Sequence, residues 1–277
     1  MDVLAGPLER AIEVLAGLRL AVLTGAGLST DSGIPDYRGP GSPRRTPMTY
    51  QEFLSGSDAQ RRYWARSYVG WARMAHAEPN AGHRALATLE AAGVVHGLIT
   101  QNVDGLHTAA RSRSVIDLHG RIDTVMCVDC RERSPRVELQ RRLDVLNPGF
   151  LEAAGAQIES APDGDAVLER VEGFRLVSCR SCGGVLKPDV VFFGENVPRE
   201  RVAAAYAMVD HADGLLVAGS SLTVMSGLRF VRHAAKARIP VVIVNRGATR
   251  GDEFATVLVD AGCSETLTVL AAARATS

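Results

Sequence analysis

The sequence lacks a net charge and any long hydrophobic run, and each absence excludes a class of partner. Its 31 lysine and arginine residues balance its 31 acidic residues, so no net field attracts the chain to nucleic acid or to an anionic membrane. No apolar run reaches the ~18 residues of a membrane span. The arginine pairs at 44–45 and 141–142 read as solvated surface charge, with a local basic patch as the alternative.

The amino-terminal segment MDVLAGPLERAIEVLAG also lacks the basic n-region of a secretory signal, and it contains Asp2, Glu9 and Glu13. It reads as an amphipathic helix. We therefore expect a cytoplasmic protein with no nucleic-acid partner and no membrane partner.

Cysteine is scarce, but its placement is informative. Four of the five cysteines form two C-x-x-C pairs, Cys127 with Cys130 and Cys179 with Cys182. In a cytosolic chain such pairs favour metal or redox chemistry over disulfides. Each pair can bind a tetrahedral ion, and four thiolates leave no open position for water or substrate. We expect one structural Zn²⁺, with redox dithiols or free core thiols as the alternatives.

Short apolar runs alternate with helical patterns along most of the chain. Strands are expected at 18–23, 94–100, 115–118, 189–193, 214–217, 240–244 and 256–259, and helices near 199–211, 226–237 and 264–273. Because several of these strands are continuous apolar runs, they predict a parallel sheet covered on both faces. The predicted fold class is α/β: a Rossmann-like doubly wound parallel sheet with a smaller zinc-binding module and a helical insertion.

Two stretches interrupt this alternation. Residues 45–79 are rich in aromatic residues and arginine and look helical, whereas residues 131–178, between the cysteine pairs, read mostly as loop and turn. We predict a Rossmann-like domain over residues 1–44, 80–120 and 184–277, a helical insertion over residues 45–79, and a zinc-binding module over residues 121–183.

A glycine turn, Gly25-Ala26-Gly27, follows the first expected strand. Glycines let the backbone approach a pyrophosphate, and the amino terminus of a following helix offers unpaired N–H groups to it. Position 30 is Thr30, so the third glycine of G-x-G-x-x-G is missing, and an ordinary strand-to-helix turn is the alternative. The polar segment 25–38 is too long for a simple turn and indicates a loop that closes over a ligand.

That segment, GAGLSTDSGIPDYR, resembles the signature of the sirtuin family. Six further motifs follow in the order that the family has them: TQNVDGLH at 100–107, LHG at 118–120, the two C-x-x-C pairs, KPDVVFFGE at 187–195, GSSL at 219–222 and VNRG at 244–247. Seven ordered motifs are very specific. The chain is identified as a member of this family over about residues 15–270.

The resemblance implies an activity. NAD, as a co-substrate, is expected in the cleft between the large domain and the zinc-binding module, and acylated-lysine proteins or peptides are the expected partners. The implied reaction is NAD-dependent deacetylation or deacylation of lysine. The acyl oxygen attacks the anomeric carbon and expels nicotinamide; a ribose hydroxyl then attacks the alkylamidate, giving the free lysine and O-acyl-ADP-ribose.

By resemblance, His119 is the base that takes the proton of the ribose hydroxyl, a task suited to an imidazole that titrates near neutral pH. Without the family, His119 would more often read as a hydrogen-bonded structural residue. Asn102 and Asp104 are expected to be catalytic with it, in the nicotinamide pocket, where Asp104 accepts from the carboxamide. His107 is expected to support them.

The NAD-binding set that the resemblance implies comprises Gly25, Ala26, Gly27, Ser29, Asp36, Tyr37, Arg38, Gln101, Asn102, Val103, Asp104, Gly219, Ser220, Ser221, Asn245, Arg246, Gly247 and Cys263. Within it, the first glycine turn and Ser29 hold the phosphates with help from Arg38, Asn245 binds the adenosine ribose, and Cys263 packs near the adenine. From the residues alone, Ser29, Ser220 and Asn245 could equally cap helices.

The long spacer between the cysteine pairs resembles class II sirtuins, and a bacterial source is expected. Assignment to this branch is indicated by the segments Arg142–Pro148, Ala161–Asp165 and Tyr63–Arg66. A peptide is expected to pair as an extended strand with backbone near 190–195 and 224–227, with Phe192 lining an acyl channel.

A dicarboxylic acyl preference is not expected. Desuccinylating members carry a Tyr and an Arg three residues later, where this sequence aligns Ser67 and Gly70; Tyr63 and Arg66 share the spacing out of register. Mono-ADP-ribosyl transfer to protein, and a non-catalytic NAD- or ADP-ribose-sensing module, are the alternative functions.

Overall fold

A computed structural model describes residues 5–37, 46–155, 168 and 171–275. Its largest element is a parallel sheet of six strands: β1 Leu20–Thr24, β2 Val95–Thr100, β3 Val115–Asp117, β7 Gly214–Ala218, β8 Val241–Val244 and β9 Val257–Val259. Their order in the sheet is β3-β2-β1-β7-β8-β9. The expected parallel sheet is confirmed.

Helices cover both faces of this sheet. Successive side chains of a strand point to opposite faces, and here both sets are apolar and pack into separate cores. Leu20 and Val22 of β1 belong to one core, which includes residues of α1 Ala5–Leu15, α4 Ala81–Ala91 and α10 Cys263–Ala275. Ala21 and Leu23 belong to the opposite core, with residues of α8 Arg199–Asp210 and α9 Met225–Lys236. All residues of β1, β7 and β8 are buried, so the sheet is doubly wound.

The direction of winding changes between β1 and β7, which are neighbours in the centre of the sheet. From β1 the chain proceeds outward to β2 and β3, and from β7 it proceeds the other way to β8 and β9. In open α/β sheets, ligands bind at such a switch point, outside the carboxyl ends of the strands. The loops that follow Thr24, Thr100, Ala218 and Val244 lie at this edge.

A second, antiparallel sheet has the order β5-β4-β6, formed by β4 Gly120–Cys127, β5 Arg133–Pro135 and β6 Leu186–Val190. The strand expected at 189–193 instead begins at Leu186. Residues 131–178, expected to be mostly loop, contain β5, α6 Arg136–Leu146 and α7 Phe150–Ala154. The domain boundaries stay a prediction; β6, inside the range expected for the large domain, pairs with β4.

The helical insertion consists of α2 Tyr50–Leu54 and α3 Ser57–His76, and a short α5 spans Leu106–Ala109. The aromatic residues of α3 pack into one core with residues of α6 and β4. Arg136 of α6 is fully buried, and its guanidinium lies 5.2 Å from the ring of Trp64 and 5.0 Å from that of Trp71. Among the described residues, no helix combines the length and the apolar character that crossing a membrane requires.

Candidate active site

A cavity of about 830 Å³ lies at the carboxyl edge of the large sheet, at the switch point between β1 and β7. It brings together most of the residues expected to bind NAD or to act on it: Gly25, Ala26, Gly27, Ser29, Asp36, Tyr37, Gln101, Asn102, Val103, Asp104, His119, Gly219, Ser220, Ser221, Asn245, Arg246 and Cys263. Gly247 is outside the lining, on the turn after Asn245. Arg38 lies outside the described residues.

The two glycine turns at the ends of β1 and β7 pack directly on each other. The N–H of Gly27 donates to the carbonyl of Gly219 over 2.8 Å, and a Cβ on Gly25 would lie only 2.7 Å from that carbonyl oxygen. Gly219 adopts a positive φ of 67°, which favours glycine. The close approach of the turns therefore requires these glycines. Two short 3₁₀ turns, Ala26–Leu28 and Thr30–Ser32, lie at the start of the polar segment that was expected to be a loop.

Ser29, Asn102 and Asp104 form one hydrogen-bonded group in the cavity. Ser29 Oγ donates to Asp104 Oδ2 over 2.7 Å. The amide of Asn102 donates to the carbonyl of Gly25 at 3.0 Å and to Ser29 Oγ at 3.1 Å. Ser29 therefore orients two polar side chains, and its side chain does not cap the turn that begins at Thr30.

Ser220 and Asn245 also have roles other than capping an α-helix. Ser220 Oγ accepts from Gln101 Nε2 at 2.7 Å, which connects the loops after β7 and β2. Asn245 Nδ2 donates to the carbonyls of Arg246 and Gly247 at 3.0 and 2.9 Å and so shapes the turn after β8. Helix α9, which follows Ser220, has Val224 at its N-cap.

His119 lies on the turn between β3 and β4, and hydrogen bonds hold both ring nitrogens. Nδ1 is 2.9 Å from the carbonyl oxygen of Gln101, and Nε2 is 2.8 Å from Ser226 Oγ. Because a carbonyl only accepts, Nδ1 carries the hydrogen and Nε2 accepts from the hydroxyl of Ser226. Burial lowers the pKa of His119, the bond to Gln101 opposes this shift, and the positive charges of Arg201 and Arg229 lower the pKa further.

His107 lies next to the site, outside the cavity lining. Its Nε2 is 2.9 Å from Thr24 Oγ1 at the end of β1, and its ring lies 4.8 Å from that of His83. Both imidazoles are buried. Burial lowers the pKa of His83 to about 4 and that of His107 well below its ordinary value, so both rings are neutral at neutral pH.

An apolar arm of the cavity extends towards the helical insertion. Phe192, expected in an acyl channel, lines the cavity with Ile34, Met48 and Tyr63, and its ring packs 5.1 Å from that of Tyr63. Ser67 is buried, and neither it nor Gly70 lines the cavity. The side chains that line this arm are therefore apolar or aromatic.

An ion pair between a buried lysine and a half-buried glutamate stabilises the segment expected to pair with a peptide. Lys187 Nζ lies 3.0 Å from Glu195 Oε2, which also accepts from the N–H of Phe192 at 3.0 Å. Burial lowers the pKa of Lys187, and Glu195 opposes this shift. Part of the segment's backbone is already engaged, since the carbonyl of Phe193 accepts from the N–H of Tyr50 at 2.9 Å.

The sequence analysis did not assign side-chain roles to three residues at the site: Ser226, which lies in the expected peptide-pairing segment 224–227, Arg229 and Arg201. Ser226 and Arg229 line the cavity one helical turn apart on α9, and Arg201 of α8 acts on His119 through its charge. The only sequence signal is that α9 begins just after the GSSL motif. Its first turn must therefore face the same edge of the sheet.

The four paired cysteines come together at one end of the small sheet. Their sulfur atoms all lie within 4.8 Å of one another, with Cys127 to Cys182 at 3.5 Å and Cys130 to Cys179 at 3.7 Å. A tetrahedral ion with Zn–S bonds of ~2.3 Å places its sulfurs about 3.8 Å apart. The four residues therefore fit one Zn²⁺. None of them lines the cavity, so the ion would be structural.

The fold and the cavity define a Rossmann-type dinucleotide-binding protein with a four-cysteine metal module. The Sir2 family matches residues 25–226 of the chain, and the chain belongs to that family.

Relatives and solved structures agree with this assignment. NAD-dependent protein deacetylase 1 of Mycobacterium avium (strain 104) is 60% identical over 262 residues, which cover 94% of this chain and 93% of the relative. NAD-dependent protein deacetylase 1 of Streptomyces coelicolor is 58% identical, covering 90% and 84%. A solved structure of Sir2 with a p53 peptide and NAD⁺ is similar with a TM-score of 0.77 at 29% identity, covering 98% of this chain and 99% of that one.

Proposed function

We propose that this chain is an NAD-dependent protein-lysine deacetylase that releases nicotinamide and O-acyl-ADP-ribose. The observation that carries the proposal is the hydrogen bonding of His119. A neutral imidazole, protonated on Nδ1, presents a basic Nε2 to a cavity lined by both glycine turns. The relatives named as NAD-dependent protein deacetylases support the same reaction.

The first step needs little acid–base help from the protein. Asn102 and Asp104 receive the nicotinamide end of NAD, and Asp104 accepts from the carboxamide. Each carboxylate oxygen has more than one acceptor site, so the bond from Ser29 leaves Asp104 able to accept another. The acyl oxygen of the substrate lysine attacks the anomeric carbon as nicotinamide departs, which gives a cationic alkylamidate.

His119 acts in the second step. A ribose hydroxyl attacks the alkylamidate carbon, and its proton passes to Nε2 of His119. The lysine amine then leaves that carbon and a water molecule from the solvent adds to it, which gives the free lysine and O-acyl-ADP-ribose. The low pKa that burial imposes keeps the ring unprotonated, and therefore competent as a base, through neutral pH. Mutation of the base should consequently spare the first step.

The other groups hold the two substrates in place. The turns at Gly25–Gly27 and Gly219–Ser221 hold the phosphates and the neighbouring nucleotide. The NAD site is completed by Asp36, Tyr37, Arg38, Gln101, Val103, Asn245, Arg246, Gly247 and Cys263. One Zn²⁺ would supply only a structural cross-link for the small sheet. Its ligands would be Cys127, Cys130, Cys179 and Cys182.

The partner is an acylated-lysine protein or peptide that pairs as a strand near residues 190–195 and 224–227. The apolar arm at Met48, Tyr63 and Phe192 receives the acyl group, which favours a short neutral chain. Sir2 structures with acetylated peptides support this class of partner. The four paired thiols are arranged to bind a metal and not to form disulfides, which supports a cytoplasmic location. The long spacer between the cysteine pairs supports assignment to the class II branch.

Incubation with NAD and a panel of acetyl-, propionyl-, lipoyl- and succinyl-lysine peptides tests this proposal. We expect nicotinamide and O-acyl-ADP-ribose in equal amounts, with the succinyl peptide among the poorest substrates. Label from NAD that stays on a protein would indicate ADP-ribosyl transfer instead. NAD binding with neither product, in the wild type and in His119→Ala alike, would indicate a sensing module.

A further inference from the structure

Ser226 makes the second hydrogen bond to the imidazole of His119, although it lies outside the motifs of the sequence analysis. It is the second residue of α9, it is 8% exposed, and it lines the cavity. Its Oγ lies 2.8 Å from Nε2, on the opposite side of the ring from the carbonyl of Gln101. The ring is therefore held at both nitrogens.

The two partners differ in the protonation states of His119 that they can serve. The carbonyl of Gln101 only accepts, so it favours a hydrogen on Nδ1 whether the ring is neutral or charged. The hydroxyl of Ser226 donates to the lone pair of a neutral Nε2. After rotation about its Cβ–Oγ bond, the same hydroxyl accepts from the N–H of a charged ring. Ser226 can therefore bond to Nε2 before and after proton transfer.

The charged ring needs such a partner. His119 is half-buried, and this partial burial disfavours its charged form. The charged side chains that act on it are Arg201 of α8 and Arg229 of α9, and both disfavour a further positive charge. Ser226 is thus the acceptor in hydrogen-bonding reach of Nε2 at the moment when that atom gains a proton.

We propose that Ser226 is a positioning residue for His119, an inference that rests on the proposed function. In the free enzyme its hydroxyl satisfies Nε2 and fixes the ring plane. When NAD is bound, the ribose hydroxyl takes over this acceptor site. Its oxygen then bonds to the alkylamidate carbon, its proton passes to Nε2, and the new N–H donates to Ser226 Oγ.

Two assays separate the steps of the reaction. Exchange of labelled nicotinamide into NAD, in the presence of acetyl peptide, reports the first step, which needs no base. Formation of O-acetyl-ADP-ribose reports the second step. Both are measured for the wild type, Ser226→Ala, Ser226→Thr and the control Thr268→Ala, which removes an exposed hydroxyl from α10, away from the cavity.

In Ser226→Ala we expect product formation to fall roughly tenfold, the scale of one hydrogen bond to a catalytic base, while exchange stays within about twofold. Ser226→Thr should restore product formation, and Thr268→Ala should behave like the wild type. An equal loss of exchange and product in Ser226→Ala would show a merely structural role and overturn the inference.

Unchanged product formation in Ser226→Ala would overturn the inference too, as would a Ser226→Thr enzyme that exchanges normally but forms product as slowly as Ser226→Ala. A wild type that forms no product from any acyl peptide would instead defeat the proposed function, so the two failures are distinguishable.

Discussion

Ser29 and Asp104 are hydrogen-bonded inside the cavity, with 2.7 Å between Ser29 Oγ and Asp104 Oδ2. The two residues are far apart in sequence and come from the loops after β1 and β2. Asp104 Oδ1 also accepts from the N–H of Leu106 at 2.9 Å. The carboxylate is therefore fixed from both sides before any ligand arrives, and this preorganisation suits its proposed role in nicotinamide binding.

Removal of the Ser29 hydroxyl should weaken the reaction without unfolding the protein. In Ser29→Ala, Asp104 Oδ2 and the amide of Asn102 each lose a buried partner, a loss on the order of 1–3 kcal/mol. We expect kcat/KM for NAD to fall about 10- to 100-fold in the deacetylation assay. The control is Ser32→Ala, because the buried hydroxyl of Ser32 has no hydrogen-bond partner among the described residues. Equal effects of the two substitutions would contradict the assigned role of Ser29.

The buried histidine pair should make the protein less stable in acid. Burial lowers the folded-state pKa of His83 to about 4 from an ordinary 6.5, so the unfolded chain binds more protons between these values. The free energy of unfolding should therefore be highest above pH 6.5 and fall as the pH drops towards 4. His83 contributes on the order of 3 kcal/mol to this fall.

Urea denaturation of the wild type, His83→Gln and His76→Gln at pH 7.5 and pH 5 measures this effect. His83→Gln should lose less stability between the two pH values than the wild type does. The exposed His76 provides the matched control and should leave the pH dependence unchanged. A wild type and a His83→Gln variant with the same pH dependence would rule out this origin.

Zinc should be required for the small sheet but not for the chemistry. Cys182→Ser removes one ligand from an exposed position, so little packing is lost with it. We expect the purified variant to lose its metal and its Tm to fall by several degrees, since metal binding stabilises the module directly. Ser181→Ala, in the same turn, should keep one zinc per chain. A metal-free variant with an unchanged Tm would contradict a structural role.

Arg136 should contribute to stability through stacking, since it forms no ion pair among the described residues. Burial lowers its pKa to about 10, so it stays charged at neutral pH between Trp64 and Trp71. Arg136→Ala empties this space and should destabilise the fold by about 2–4 kcal/mol. Arg136→Met fills the space without burying a charge, so it should cost less. The exposed Arg141 of the same helix, replaced by Ala, is the control in urea denaturation.

The large sheet could be predicted closely because its central strands are buried on both faces and therefore read as continuous apolar runs. Expected strands at 94–100 and 214–217 lie within one residue of the observed β2 and β7. The small sheet was harder to predict. Strand β4 mixes buried and half-exposed residues, which removes the apolar run. The start of strand β6 at Leu186 was missed because Lys187 is polar and interrupts the apolar pattern. In the structure Lys187 is buried and paired with Glu195.

Much of the site could be predicted because its residues belong to motifs that lie at the carboxyl edge of the large sheet. The residues that were missed reach the site only through tertiary packing. The bond from Ser226 to His119 joins positions 107 residues apart and follows from how α9 starts over that edge. Helix α6 was missed because its neighbouring prolines and glycines suggested a loop. It is held by the packing of its residues, including Leu139 and Leu143, into the core shared with α3.

Mass spectrometry of one reaction tests the central claim most directly. The wild type and His119→Ala are incubated with NAD and an acetyl-lysine peptide, and nicotinamide, free-lysine peptide and O-acetyl-ADP-ribose are quantified. We predict all three in equal amounts from the wild type, and product formation at least about 100-fold slower from His119→Ala, with nicotinamide exchange retained. Equal rates of product formation from the two enzymes, or nicotinamide release without O-acetyl-ADP-ribose from the wild type, would contradict the account.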